Sequence, residues 1–445
     1  MRKKLWLLLA AALPLLCGCM MSASVDDLYA LPQLPEEYES LSARLSEILA
    51  LGAEYAAPQA GANLPPVQMV DLDGEALGFF RISSEERPLK VYVFRAVEDD
   101  YQQAAVIDGS GTSIHSIRYE DMDGDGVREI LVSWQVSPEA RALGGYGMRG
   151  LEPVLLMSAP YTRYEAVDLD GDEEQELVVL RSGDTDAGLS LADYYDWDSG
   201  YSSLQLRSTA RLSAPVASLQ RMQVGQLQEG ETAVFVTSRV AGADDTSNAV
   251  TDILLYRSPE LANIVLREDT GVSTQIFHYL NLQPADVNGD GALEAPRPVR
   301  LLSDTGEDAY WKIYWHSYRA DGADRREAVT YHNQADGWYL LLPEEWEDHF
   351  TVRQNNISSA VHATTFYSVS GWTLGEELLT IYTLTGTDRE NQAAKSGRTI
   401  LRRRGETIYA ISYARAYENW RYAVDGDAIS ESFKIITKQL SMGEN

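Results

Sequence analysis

Residues 121–130 read DMDGDGVREI, and the pattern returns as DLDGDEEQEL from 168 and DVNGDGALEA from 286. Carboxylates this dense repel one another, and each raises its neighbours' pKa. Two worn copies keep the frame: DLDGEALGFF from 71, and QLQEGETAVF from 226, which has lost the acids. The starts lie 50, 47, 58 and 60 residues apart. A period near 50 marks a repeat architecture, in which each unit buries its apolar face against the next.

Short apolar runs between about 66 and 320 predict strands at 90–96, 129–134, 153–157, 176–180, 233–237, 252–256 and 311–315. Turn residues such as Asp198-Ser199-Gly200, Gly109-Ser110-Gly111 and Gly225 separate the runs, and no long helical pattern intervenes. This is the pattern of a mainly β protein: a sandwich, barrel or propeller. The period selects a β-propeller over 66–325, with one motif per four-stranded blade and five or six blades.

The flanks differ from this body. Residues 20–65 read as a tether, punctuated by Pro32, Pro35, Pro58 and Pro65 and followed by Pro66, and a short helix in EEYESLSARLSEILALGAEY. There Leu41, Leu45, Ile48 and Leu49 share a helical face, and Gly52 is the expected stop. Residues 326–445 read as a small α+β domain. In it, DGWYLLLPEEWEDHFTV predicts strand, proline-led turn and strand, and further strands are expected near 364–370, 376–384, 397–403 and 407–415. A hairpin tip is expected at Arg404-Gly405-Glu406. DAISESFKIITKQL places Ile429, Phe433, Ile436 and Leu440 on one face of a terminal helix capped by Asp427. The LPEEW opening and this helix resemble PsbP-type α/β/α domains over about 110 residues.

The acidic motif has the donor chemistry of a metal loop. Asp121, Asp123 and Asp125 offer carboxylates at positions 1, 3 and 5, the Val127 carbonyl can serve at position 7, and Glu129 closes at position 9. Calcium takes six to eight oxygens, and alternate side chains on a tightly wound loop can converge on one point. Gly124 permits the sharp turn. EF-hand and dockerin loops open in the same way but carry their last acid at position 12 and lead into a helix. Here the last acid is at 9, and the strands EILVSW and ELVVL follow. In this the chain resembles the FG-GAP/VCBS repeats of integrin-like β-propellers, over about 250 residues. The resemblance implies structural calcium held by Asp121, Asp123, Asp125 and Glu129, by Asp168, Asp170, Asp172 and Glu176, and by Asp286, Asn288, Asp290 and Glu294. Glu173 replaces a glycine in the second loop, Asn288 replaces a carboxylate in the third, and Pro296 and Pro298 are expected to damage the strand after it. The copies at 71 and 226 are expected to hold no metal.

The N-terminus predicts an address. Arg2, Lys3 and Lys4 precede the 12-residue apolar run LWLLLAAALPLL. That is too short to span a membrane and suits a signal segment. Leu16-Cys17-Gly18-Cys19 resembles the bacterial lipobox, which implies a signal peptide over 1–19 and a lipid on Cys19. Export by the general route and anchoring at the outer face of the cytoplasmic membrane follow. Cleavage before Cys19 leaves no thiol pair for a disulfide. The net charge is −30, and loss of the leader's three cations leaves 67 acids against 34 bases, or −33. Such a body does not favour nucleic acid, which requires a basic footprint.

Other signals are weak. Gly145-Tyr146-Gly147-Met148-Arg149-Gly150 matches a dinucleotide fingerprint, but a strand pattern follows, so an inter-strand loop is expected. The six histidines are scattered, and Arg402-Arg403-Arg404 reads as a solvated hairpin end. Trp315, Trp338, Trp346, Trp372 and Trp420 are expected to pack in a core, with stacking on sugars as the alternative. The functional expectation is a non-catalytic, lipid-anchored surface protein whose propeller binds a protein or glycan. A cell-envelope hydrolase acting on polysaccharide or peptide, or an accessory subunit of a membrane complex, are the alternatives.

Overall fold

The computed structural model describes residues 38–70, 75–98, 100–150, 152–183, 189–242, 246–303 and 309–436. The signal segment with Cys19, and the tether as far as residue 37, lie outside the described residues. The chain divides into two units: residues up to Arg118 with Ile130–Pro138 and Tyr146–Val154, and Tyr119–Glu129 with Glu139–Gly145 and Leu155 onward.

The first unit opens with the helix Glu39–Ala50, which buries Leu41, Leu45 and Ile48. These side chains form a core with Ala53, Ala76, Phe80 and Phe94. Gly52 stops the helix at a φ of +91°, and its amide donates to Leu49 O at 2.9 Å. The strands Val67–Val70, Glu75–Arg81, Leu89–Val97 and Asp100–Gly109 make an antiparallel sheet, with Glu54–Tyr55 added beside Glu75–Arg81.

Further sheets repeat this up-and-down order. One runs Ser113–Glu120, Glu129–Ser137, Ala140–Arg149 and Glu152–Tyr161. The next runs Arg163–Val167, Glu176–Ser182, Ser190–Asp198 and Ser203–Leu212. Another runs Leu219–Gln226, Thr232–Ala241, Ser247–Arg257 and Glu260–Asn263. In each of these four sheets the second strand carries a continuous buried run, such as Glu129–Trp134 or Glu176–Leu180. Strands buried on both faces lose the in–out alternation of a half-exposed strand. All seven strand segments predicted between 90 and 315 fall within observed strands.

The next sheet orders Ala295–Arg300, Trp311–Tyr318, Asp324–Asn333, Trp338–Leu341 and Phe433–Ile435, so strands from both sides of residue 325 share it. Pro296 and Pro298 do not destroy Ala295–Arg300, contrary to expectation. That strand is at the sheet edge, and prolines two apart place both missing donors on one side of the strand. The last sheet orders Phe350–Ser358, Val361–Ser370, Thr373–Leu384, Thr407–Tyr413 and Arg398–Arg404. Gly405 and Glu406 form the hairpin tip as expected, between the paired Arg404 and Thr407.

Two further expectations need correction. Among the described residues the terminal helix covers Gly426–Ser432, and its cap is Asp425, whose side chain accepts from the Asp427 amide; Leu440 lies outside the described residues. Phe433–Ile435 is a strand, because Trp338–Leu341 offers an open edge and buries Phe433 against Trp338 at 5.5 Å. The glycine fingerprint at 145–150 is not a loop. It ends the strand Ala140–Arg149, and only Gly150 turns, at a φ of +63°.

Trp346 is the centre of the C-terminal core. It is fully buried, and its ring meets Phe350, Phe366, Tyr417 and Trp420 at centroid distances of 5.2 to 6.4 Å. Its Nε1 donates to Tyr422 O at 2.8 Å. Trp346→Ala is expected to cost about 3–5 kcal/mol, the range for a buried aromatic removed from a core. Urea denaturation followed by circular dichroism checks this, and a cost below about 1 kcal/mol would contradict the packing.

Candidate metal centres

All five motif copies lie where strands of a sheet begin. The motifs at 121 and 168 join the first and second strands of their sheets, and the worn copy at 226 does the same. The copy at 71 falls between Val67–Val70 and Glu75–Arg81, with 71–74 outside the described residues. The copy at 286 opens its sheet, and a single antiparallel bridge from Ala285 to Glu294 stands where a first strand would be.

The three acidic loops are wound alike. Position 2 is apolar and buried in each: Met122, Leu169 and Val287. The position 2 amide donates to the closing glutamate, Met122 to Glu129 Oε2 at 2.8 Å, Leu169 to Glu176 Oε2 at 2.7 Å, and Val287 to Glu294 Oε2 at 2.9 Å. The position 6 amide donates to the first aspartate, at 3.0 Å to Asp121, 3.3 Å to Asp168 and 3.0 Å to Asp286. Positions 4 and 6 are left-handed in all three loops, with φ between +69° and +93°. Glycine fills five of these six positions. Glu173 takes the sixth at a φ of +74°, a conformation that strains an L-residue.

Carboxylate oxygens converge inside each loop. One oxygen from each of Asp121, Asp123 and Glu129 lies within 4.8 Å of the others. Asp168, Asp170, Asp172 and Glu176 form the second group, and Asp286, Asp290 and Glu294 the third. Asp125 is not brought into the first group, and its Oδ1 accepts from the Val127 amide at 2.7 Å. The Val127 side chain is exposed. Asn288 is engaged within its own loop, donating to Asp290 Oδ2 and accepting from the Asp290 amide, both at 2.9 Å.

The groups hold more negative charge than the protein offsets. Asp121 Oδ1, Glu176 Oε1 and Glu294 Oε1 are buried with no hydrogen-bond partner among the described residues. A buried acceptor without a partner costs about 1–3 kcal/mol, and more when charged. Burial, partly offset by the position 2 amide and reinforced by the loop aspartates, pushes Glu129 and Glu294 up to about 7 and Glu176 up to about 8. Burial and then the neighbouring aspartate raise Asp123 and Asp170 as well. The first two loops also share a field, since a Cβ placed on Gly124 would lie 3.4 Å from Glu174 Cγ. An all-oxygen, multiply anionic donor set with orphaned buried atoms fits a hard cation. These clusters can therefore hold a metal ion, and Asp121, Asp123, Glu129 and their counterparts would be the residues to hold it.

The copy at 226 keeps the frame without acids at positions 1, 3, 5 and 9. Leu227 is buried at position 2, and Gln228 at position 3 accepts from the Arg325 guanidinium at 2.7 Å. This loop touches the third acidic loop, where the Leu293 amide donates to Gln226 O at 2.9 Å.

The histidines form no common site among the described residues. His316 and His362 pair with Asp324 and Asp336, while His278 and His349 stack on Trp311 and Tyr422. His332 is buried without a hydrogen-bond partner, and burial pushes it down to about 3.

No family model matches the chain, and no curated protein matches it. Among solved structures, it is similar to the exotype rhamnogalacturonan lyase YesX at 12% identity and a TM-score of 0.30, over 72% of this chain and 73% of that one. A protein from Lactobacillus plantarum aligns at 9% identity and a TM-score of 0.21, over 82% and 96%. Sqt1 of Chaetomium thermophilum aligns at 12% and 0.27, over 80% and 94%. At these TM-scores the likenesses decide neither fold nor function.

The raised glutamates give the metal-free protein a definite pH dependence. A carboxyl whose folded pKa exceeds its unfolded value of 4.5 stabilises the fold fully below 4.5 and loses that contribution as pH rises through 7 to 8. In EDTA the melting temperature is expected to fall between pH 5 and 8.5. A bound cation requires the ionised form, so the gap between metal-loaded and metal-free melts should widen over the same range. Parallel curves with and without metal would contradict this.

Proposed function

We propose that this chain is a lipid-anchored bacterial surface protein whose calcium-stabilised β-propeller, of five or six blades, is a non-catalytic binding platform for a protein or glycan. The observation that carries the reading is the repetition of one acidic loop, with one hydrogen-bond plan, at the opening of successive sheets. Four-stranded up-and-down sheets at a regular period are the units of a propeller. The motif order and the strand after each motif support the resemblance to FG-GAP/VCBS repeats. Calcium suits the sites better than magnesium, because a flexible loop of several carboxylates meets its larger, less regular coordination shell. The ion acts structurally, since whatever binds only the folded state stabilises it by mass action.

The address rests on the leader. The lipid on Cys19 supplies membrane affinity, and a body of strong negative charge stands off an anionic bilayer within a Debye length. The loop-rich faces of a propeller are then presented outward to a partner.

Thermal melting tests the platform's metal. At a hundredfold excess over Kd each site adds about 2.7 kcal/mol, so millimolar calcium should raise the melting temperature by several degrees over EDTA, and magnesium by much less. Asp121→Ala with Asp123→Ala should remove part of the rise. An unchanged melt in calcium sinks the metal reading. Cys19→Ser is expected to release the chain from the membrane fraction of cells, and retention there would sink the anchor.

A further inference from the structure

Trp315, Trp338 and Trp346 are wholly buried, as expected, but Trp372 is 90% exposed. It sits with Gly371, whose φ is +60°, in the two-residue tip between the paired residues Ser370 and Thr373. Such tips ordinarily carry small polar residues. An indole there gives the fold no packing and leaves a large apolar face in water.

Trp372 lines a cavity of about 780 Å³, together with residues 299–303, Lys312, residues 347–350, Val369 and Gly371. Several polar groups of this lining are engaged within the protein. Lys312 Nζ donates to Glu347 O at 2.6 Å and to Asp348 Oδ1 at 2.8 Å. Glu347 Oε1 accepts from Tyr314 OH at 2.6 Å and pairs with Arg326. The His349 ring is stacked on Tyr422. Two charged groups of the lining remain exposed. Arg300 is exposed and has no ion-pair partner among the described residues, and the Asp348 side chain is 79% exposed.

A bare indole, an exposed guanidinium fork and an exposed carboxylate that Lys312 holds through one oxygen together restrict the ligand. A purely apolar molecule would leave Arg300 without a partner and strip water from the Asp348 carboxylate on desolvation. A simple anion would make no use of Trp372. A polyanion is disfavoured by the field of a body carrying −30. A ligand with an apolar C–H face and a rim of groups that both donate and accept satisfies all three residues.

The geometry points to this cavity as a binding site for a neutral saccharide, with a pyranose ring stacked on Trp372 and its hydroxyls bonded by Arg300 and Asp348. This rests on the reading of the protein as a surface binding platform and names one ligand class for it.

The test uses the full chain purified in mild detergent. It is titrated with cellohexaose, chitohexaose and mannohexaose, with tryptophan fluorescence and heat as readouts. At least one is expected to bind with a Kd of about 10 μM to 1 mM. Trp372→Ala should weaken that binding about tenfold or more, Trp372→Phe should retain part of it, and Arg300→Ala should weaken it too. Both residues are exposed, so an unchanged melting curve will report a folded variant. A sugar that binds Trp372→Ala as well as the parent overturns this site but leaves the platform reading standing. No binding of any of the three overturns the saccharide proposal, while the calcium melt still decides the platform's metal separately.

Discussion

A glutamate that accepts the amide of position 2 closes each acidic loop, and the surrounding structure follows from that bond. It fixes the apolar side chain of position 2 in the core, and it starts the strand whose first or preceding residue it is. It also carries a carboxylate into a buried place, where Glu176 and Glu294 each keep an oxygen without a partner. One backbone bond does not offset the desolvation of a carboxylate beside two or three more. The same contact that organises the loop thus creates a demand for positive charge within it.

Much of this was legible in the sequence, for physical reasons. The second strands of three sheets, Glu129–Ser137, Glu176–Ser182 and Thr232–Ala241, are buried on both faces, so they read as unbroken apolar runs and their positions could be predicted; Glu75–Arg81, buried in the same way, was not among the predicted runs. Edges read poorly. Ala295–Arg300 pairs despite two prolines, and Phe433–Ile435 continues a helical pattern yet joins a sheet, because a neighbour's open edge decided each case. Periodicity reports a segment's own preference, and tertiary pairing overrides it where the segment is short.

The candidate site was legible by residue type and less so by atom. Acids at alternate positions announced the loops, but not which oxygens converge. Asp125 stays outside its group, although Asp172 and Asp290, which bond the position 7 amide in the same way, lie inside theirs. The apolar residue at position 2 was a readable signal that charge alone hides. Trp372 shows the reverse limit, because its neighbours in sequence suit a strand and only the hairpin register leaves it at the tip.

The worn copy at 226 separates what the frame needs from what the acids need. It retains the buried leucine at position 2 and still joins the first and second strands of its sheet. It has no acid at the aspartate positions; Gln228 meets the guanidinium of Arg325, and Glu229 pairs with Arg319 at 3.1 Å. Among the described residues, no lysine or arginine forms an ion pair with any acid of the three converging groups. The two kinds of loop are wound differently: the worn copy turns at Gly230, its position 5, and its position 2 amide donates to the Glu231 carbonyl, whereas the acidic loops turn at positions 4 and 6 and close on a glutamate side chain. The worn copy meets cations of the chain itself, Arg319 and Arg325, while the three converging groups, with no such ion pair among the described residues, keep a donor set that can take a cation from solution.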